Sequence, residues 1–357
     1  MKKSVYINSV GSVSPQHTLD SSIFLDKIVS HEDTVIRVID PDYKAFIPPA
    51  AARRMAKGIK MSTASAKTVM AEAGLEENEV DAIIVGTGLG CIGDSEKFVS
   101  DIIDNNEQYL TPTRFIQSSH NTVAGQIALG IGCKGHNFTY VHSAISFESA
   151  LLDSRMQLEE DEARHILVGG VDELVAHHEN THRLIKHIKE EPIETMSLLK
   201  SGTKGAIFAE GANFFLLSNE NRDSAYSRLI DIEVFNTLSK DNISEKVLTF
   251  LKKNEIAISE VDLIILGNNG DVEFDGYYEE LAEGIFESTP QAYYKHLSGE
   301  FDTASAFGFW LGNKILKNQV VPEAVQLNNL QIEKLETTLL YNQYRGENHS
   351  LVLLKRC

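Results

Sequence analysis

Two short apolar runs constrain this chain more than any other feature. Asp81 to Gly88 (DAIIVGTG) and Asp262 to Gly267 (DLIILG) are unbroken β-branched and leucine stretches that each enter a glycine turn. A run without alternating polar positions cannot leave one face in water. Each therefore reads as a strand buried on both faces, as in a parallel sheet covered by helices. The segments around them keep the same rhythm. Val5 to Val10 reads as a first strand. Ala51 to Gly74 carries small and apolar residues at helical spacing and ends on a glycine C-cap. Ser119 to Gly132 and Ser143 to Met156 read as helices, Asn137 to His142 and His165 to Val171 (HILVGGV) as strands, and Gly205 to Leu217 as a strand. After a polar hinge at Ser218 to Ser224, Leu229 to Phe235 is a strand and Ile243 to Lys253 a helix. Asp275 to Phe286 and Thr303 to Leu316 are helices, and Ser350 to Lys355 closes as a strand. Buried strands alternating with helices imply an α/β fold. The recurrence of the pattern implies an internal duplication, with halves at 1–218 and 225–357 and a polar surface excursion at 175–204.

Charge and cysteine content narrow the classes. The formal net charge is −18 over 357 residues. Nucleic acid is an unfavourable partner, because phosphate binding needs clustered Lys and Arg. An acidic carrier protein would also be repelled away from a local basic patch, and the charge can equally serve only solubility. Cys91, Cys133 and Cys357 show no CxxC or Cys/His spacing. That argues against a zinc site or a disulfide framework and fits a reducing cytoplasm. The opening MKKSVYINSV has no long apolar region, and no window approaches 18 apolar residues, so neither a signal peptide nor a membrane span is expected.

Ordered along the chain, the segments resemble β-ketoacyl-acyl carrier protein synthases. MKKSVYINSVGSVSP resembles their opening strand and turn, and DAIIVGTGLGCIGDSEKF their "IIGTGLGG" strand-turn. TPTRFIQSSHNTVAGQIALGIGCKGHNFTYVHSA resembles the stretch leading into their nucleophile. HILVGGVDEL resembles "MLAGGTEA", GAIFAEGANFFLL resembles "GFVLGEGAGVLVL", and YYKHLSGEFDTASAFGFWLGNKIL resembles the "KSxxGHxxGAAG" lysine segment. The resemblance spans nearly the whole chain and implies the thiolase-like, duplicated five-layer αβαβα fold.

In that family a cysteine at a strand-to-helix turn attacks an acyl thioester. The helix N-terminus lowers its pKa, and two histidines assist the decarboxylating condensation. Carried over residue by residue, the cysteine position is Ser143. A serine hydroxyl is a poor nucleophile without a base, and His142, next to it, points to the opposite face of an extended chain. Ser143 is thus either an inert replacement or a serine nucleophile. The first histidine falls at Gly267 or Asn269, and no histidine occurs from 257 to 295. The second becomes Glu300, next to Gly299. An ionised carboxylate cannot donate to a developing enolate. Lys295 is retained, and its reading is a structural ion pair with an acid such as Glu300. The family's glycine-rich "GFGGTN" gate reads NQYRGENHS at 342–350, where Arg345 and Glu347 replace glycines, so a mobile gate is not expected.

No catalytic residue, cofactor or metal is therefore expected. Members without the Cys-His-His set resemble chain length factors, which pair with an active ketosynthase in aromatic polyketide, aryl polyene and flexirubin-type pathways. The resemblance implies a heterodimer with a catalytic ketosynthase, or a homodimer, through the Ser119–Gly132 helix and the Asn137–His142 strand. An acyl carrier protein would then be met indirectly, with Thr113 to Gln117 near the partner's acyl tunnel. A divergent acyltransferase or hydrolase using Ser143, and a homodimeric scaffold or acyl-binding protein, remain as alternatives. His177, His178, His182 and His187 raise the question of metal, since His178 and His182 stand four apart. Without an HExxH pattern they read as a solvated helix face. The glycines of GTGLG do not make a dinucleotide fingerprint, and Trp310 reads as core.

Overall fold

The computed structural model describes residues 3–76, 78–331 and 334–357; Met1 and Lys2 of the opening segment lie outside them. In chain order the strands are β1 (Val5–Val13), β2 (Glu32–Asp33), β3 (Ala82–Gly86), β4 (His136–Tyr140), β5 (His165–Asp172), β6 (Ile193–Glu194), β7 (Gly211–Ser218), β8 (Ser227–Asn236), β9 (Leu263–Leu266), β10 (Gln291–Tyr293), β11 (Thr337–Tyr344) and β12 (Asn348–Lys355). The helices are α1 (Pro49–Ala52), α2 (Lys57–Ala73), α3 (Ile92–Asp104), α4 (Pro112–Gln117), α5 (Thr122–Ile131), α6 (Ser146–Glu159), α7 (Ala176–Leu184), α8 (Ile243–Lys253), α9 (Gly276–Ala282), α10 (Lys295–Ser298) and α11 (Ser305–Asn318).

The duplication is visible in the strand order. Ten strands run β10-β9-β11-β12-β8-β1-β7-β5-β3-β4. Within the first half, β3 pairs in parallel with β4 and β5, and β7 pairs antiparallel with β5 and β1. Within the second, β9 pairs in parallel with β10 and β11, and β12 pairs antiparallel with β11 and β8. The two halves therefore share one topology and meet where β1 pairs with β8. β3 and β9 are the two apolar runs, and each is buried along its whole length.

Three clusters of apolar side chains build five layers. One packs α2 and α5 against the outer face of the first half-sheet. Another packs α8 and α9 on the second half-sheet. Between the half-sheets lies the largest cluster, to which α6 and α11 contribute Phe147, Leu151, Phe307 and Trp310. Trp310 is core, as its place in an apolar helix predicts. α2 ends where Gly74 turns left-handed (φ 64°) and its N–H meets the Ala71 and Met70 carbonyls. That geometry needs the glycine predicted as C-cap.

Two expectations are corrected. The segment 175–204 is no surface excursion throughout. Ile188, Lys189, Thr195 and Leu198 are buried. The Lys189 ammonium explains why: it donates to Ser201 Oγ, Thr203 Oγ1, the Thr203 carbonyl and the Gly270 carbonyl, tying the segment down. The Gly205–Leu217 strand begins only at Gly211, because Ala206 and Phe208 form isolated bridges to Ile188 and Val35. The 342–350 stretch is mostly strand. Residues 342–344 and 348–350 pair across a hairpin, leaving Arg345, Gly346 and Glu347 as the turn.

Candidate functional site

The ends of β4, β9 and β10 bring the candidate residues together. β4 stops at Tyr140, and the chain turns into α6 through Ser143. Ser143 sits in the left-handed region (φ 49°), which a side-chain-bearing residue adopts only at a cost. Ser146 holds the turn: its Oγ accepts from the His142 N–H at 2.8 Å and donates to the Ser143 carbonyl at 2.6 Å. The start of α6 lies so close to β3 that a Cβ on Gly86 would meet the Ser146 backbone at 2.4 Å. Glycine there lets the helix N-terminus reach the site.

The sequence assigned Ser143 no base. In the structure its hydroxyl donates to Asp302 Oδ1 at 3.3 Å. Asp302 arrives from the other half of the chain, which is why adjacency in sequence gave no hint of it. His142 points elsewhere, with Nδ1 3.4 Å from Ser149 Oγ. Asp302 fits only because residue 88 is glycine; a Cβ there would meet Oδ2 at 1.9 Å. Burial pushes the Asp302 carboxyl up to about 7, and neighbouring Asp172 adds to this. Asp172, at the end of β5, is buried and its pKa is raised by that burial. It accepts from the Thr87 hydroxyl, the Gly88 N–H, and both the N–H and hydroxyl of Thr303.

A second corner is built on Lys295, which opens α10 directly after β10. Lys295 Nζ lies 2.7 Å from Glu300 Oε2, and both groups are buried. Asn269 Nδ2 donates to the same oxygen at 2.7 Å. Of Gly267 and Asn269, only Asn269 reaches Glu300; Gly267 packs instead against Asn342 and Tyr278. Asp275 fixes the Asn269 loop by accepting from the Asn269 and Gly270 N–H groups. Desolvation dominates at Asp275 and pushes its carboxyl up to about 7.

The histidines of α7 also belong here. His177 is exposed, but His178, His182 and His187 are half-buried. His182 packs on the Phe208 ring with centroids 4.7 Å apart. The expected solvated face is thus turned inward, because Phe208 and Tyr344 give the rings an apolar seat. His178, His182, Phe208, Tyr344 and Glu300 line a cavity of only about 20 Å³. That is room for about one water. Larger depressions of about 680 and 730 Å³ lie on the surface, and neither is lined by Ser143, Asn269, Lys295 or Glu300. Among the described residues no group of three or more His, Cys, Asp or Glu is arranged to hold a metal ion. Among them, too, no helix is long and apolar enough to cross a membrane.

The family described as "Beta-ketoacyl synthase, N-terminal domain" matches residues 21–222, more than half of the chain. The chain belongs to the β-ketoacyl synthase family. No curated protein matches it. Solved structures place the fold of this ketosynthase-family chain. The ishigamide ketosynthase/chain length factor superposes with a TM-score of 0.81 at 14% identity, over 100% of both chains. A β-ketoacyl synthase from Burkholderia phymatum STM815 gives 0.80 at 13%, again over 100% of both. The ketosynthase ApeO in complex with its chain length factor ApeC, from Xenorhabdus doucetiae, gives 0.77 at 16%, over 99% of this chain and 98% of that one. The thiolase-like α/β fold expected from the sequence is the observed one.

Asp172, Asp302 and Tyr344 escaped the sequence reading. Asp172 ends a buried strand and Asp302 follows Glu300 by two residues, and neither position carries a motif. The usable signal is positional, since site residues in parallel sheets gather beyond the carboxyl ends of strands.

Proposed function

We propose that this chain is a non-condensing ketosynthase-family subunit of the chain length factor type, which pairs with a catalytic ketosynthase in fatty-acid- or polyketide-type chain extension. One observation carries the reading. The corner that would need a neutral donor toward an enolate holds a buried carboxylate instead, saturated by Lys295 and Asn269 at 2.7 Å each. Ser143, Asn269 and Glu300 then stand where condensing members carry cysteine and two histidines. The cavity of about 20 Å³ supports the same reading, because an acyl-bearing ligand needs several hundred cubic ångströms.

The open sheet end supports a place for the partner. Among the described residues β4 pairs only with β3 and leaves its other edge unpaired. Around it Phe138, Val141, Phe115 (62% exposed) and Leu129 (78% exposed) form an apolar face. An open edge beside exposed apolar side chains is a surface that pairs with another chain. The catalytic ketosynthase is the proposed occupant, and Phe115 and Ile116 would face its acyl tunnel. An acyl carrier protein would deliver to the partner. The two halves, 1–218 and 225–357, are the proposed domains, and aryl polyene, flexirubin and aromatic polyketide pathways are the proposed settings.

The test has two arms. The chain purified alone should show no malonyl-carrier decarboxylation or acyl transfer, and when co-expressed with a catalytic ketosynthase from the same source it should co-purify with it. Turnover that disappears in Ser143→Ala would overturn the proposal. A second reading has one observation in its favour: the strained Ser143 turn with Asp302 3.3 Å away suits a serine acyltransferase or hydrolase. It requires covalent labelling of Ser143 by an acyl thioester.

A further inference from the structure

α7 lies over the site cavity on an unusual footing. None of its nine residues is buried, and Leu184 at its end is 83% exposed. A helix with no fully buried residue has little packing to hold it in place. Its outer contacts are polar: Arg183 donates to Thr34 Oγ1 at 2.9 Å, and Glu179 accepts from Arg37 at 3.1 Å. Its inner contacts form a chain of rings. His178 Nε2 lies 2.7 Å from His182 Nε2, His182 Nδ1 lies 3.2 Å from His187 Nδ1, and His187 Nδ1 lies 3.3 Å from Tyr344 Oη. The chain joins α7 to the tip of the β11–β12 hairpin across the cavity mouth.

The geometry limits how many protons the chain can hold. Each contact between ring nitrogens takes one hydrogen, facing one lone pair. Three neutral rings satisfy this, with His182 donating to one neighbour and accepting from the other. A single imidazolium at His182 satisfies it too, donating both ways. Any second proton puts two N–H groups face to face across 2.7 or 3.2 Å. We propose that α7 is a lid over the site, latched by the His178–His182–His187–Tyr344 chain and released when the chain takes up a second proton.

The surroundings support a latch that is shut at neutral pH. Burial pushes all three histidines down, His182 to about 4. From the hairpin, Arg345 adds repulsion at His182 and His187, while Glu347 and Asp271 oppose it at His187. Across the cavity stand Asp172, Glu173, Glu300 and Asp302. Glu300 already holds Lys295, and Asp172 already accepts four hydrogen bonds. The sign follows from linkage. An open lid titrates near the ordinary histidine value of about 6.5 and binds more protons than the closed one below it. The closed state therefore keeps its advantage above about 6.5 and loses it as pH falls toward about 4, about tenfold to a hundredfold per unit for one or two protons taken up. The lid stands independently of the partner proposed above.

Hydrogen–deuterium exchange on the full chain tests this, read on peptides spanning 176–187 at pH 7.5 and pH 5.0, with labelling times scaled for intrinsic exchange. The wild type should lose tenfold or more of its protection there at the lower pH, while α2 keeps its own. His182→Phe keeps the packing on Phe208 but cannot titrate, and should be equally protected at both. Equal wild-type protection at both pH values, or the same acid loss in His182→Phe, overturns the lid. If His182→Phe melts early, His187→Asn replaces it: the pH slope should shrink, and an unchanged slope overturns the proposal.

Discussion

β4 and β10 occupy the same place in the two halves, yet meet opposite fates. Each is the outermost strand, paired in parallel with one neighbour. β10 is buried throughout. The chain covers its outer side itself: Ala292 bridges Gln326, and the Leu327 N–H donates to the Gln291 carbonyl at 2.9 Å. β4 has no such cover among the described residues, and His136 and Phe138 are exposed. The corners after them follow suit. After β10, Lys295 is sealed in the core; after β4, Ser143 stands exposed on a strained turn. A duplicated fold has thus closed one end as structure and left the other exposed, where the proposed partner would pair.

The largest way to break that comparison is at the closed corner. Lys295→Met strands the Glu300 carboxylate in the core, its remaining donor the neutral Asn269 amide. Removing one partner of a buried pair should cost about 3–5 kcal/mol. Denaturant unfolding reads the loss, and Glu300→Gln added to Lys295→Met should recover most of it, because the buried charge goes too. A loss under about 1 kcal/mol in Lys295→Met would mean this corner is not sealed.

At the open end, Leu129→Asp with Phe138→Asp places charge on the apolar face. Both positions are exposed, so the fold should tolerate them with little change in melting temperature. Association should weaken by about 100-fold or more, on the order of 3 kcal/mol, read by sedimentation with the proposed ketosynthase partner. Unchanged association would move the interface away from β4.

How much of this contrast was legible beforehand depends on the range of the cause. β3 and β9 announce themselves because burial on both faces removes every polar position from a strand. The α2 C-cap is legible because a left-handed residue selects glycine. Lys295, Asn269 and Glu300 could be placed by family resemblance, residue by residue. β10 and the cover on it could not, since three residues carry no periodicity and the cover is a loop. Asp302 beside Ser143 and the inward histidines depend on contacts between segments far apart in the chain, which local patterns do not encode.

Asp302 separates the two halves more gently. Its carboxyl is raised to about 7, chiefly by burial, against an ordinary value near 4 when unfolded. Between those values the folded chain holds the extra proton, so stability falls as pH rises from about 4 to 7. Asp302→Asn cannot ionise and keeps an acceptor for Ser143. It should match the wild type near pH 4 and exceed it at pH 8 by about 2 kcal/mol, half of the roughly 4 kcal/mol that a carboxyl moved from about 4 to about 7 carries in full, because Asp302 is not fully buried. Melts across that range test it, and a wild-type slope that survives in the variant would place the titrating group elsewhere.

The smallest effect belongs to Ser143 itself. Its φ of 49° costs a residue with a Cβ about 1 kcal/mol or more, and glycine removes that strain while adding chain entropy to the unfolded state. The two terms nearly cancel, and the hydrogen bond lost to Asp302 is long and faces water. Ser143→Gly should therefore change stability by less than about 1 kcal/mol, far below the cost at Lys295. It should also leave partner binding unchanged, because the turn is held by Ser146 rather than by the Ser143 hydroxyl. A subunit that loses its partner on this one change would need the hydroxyl at the interface. That would make the open corner as much a built site as the closed one.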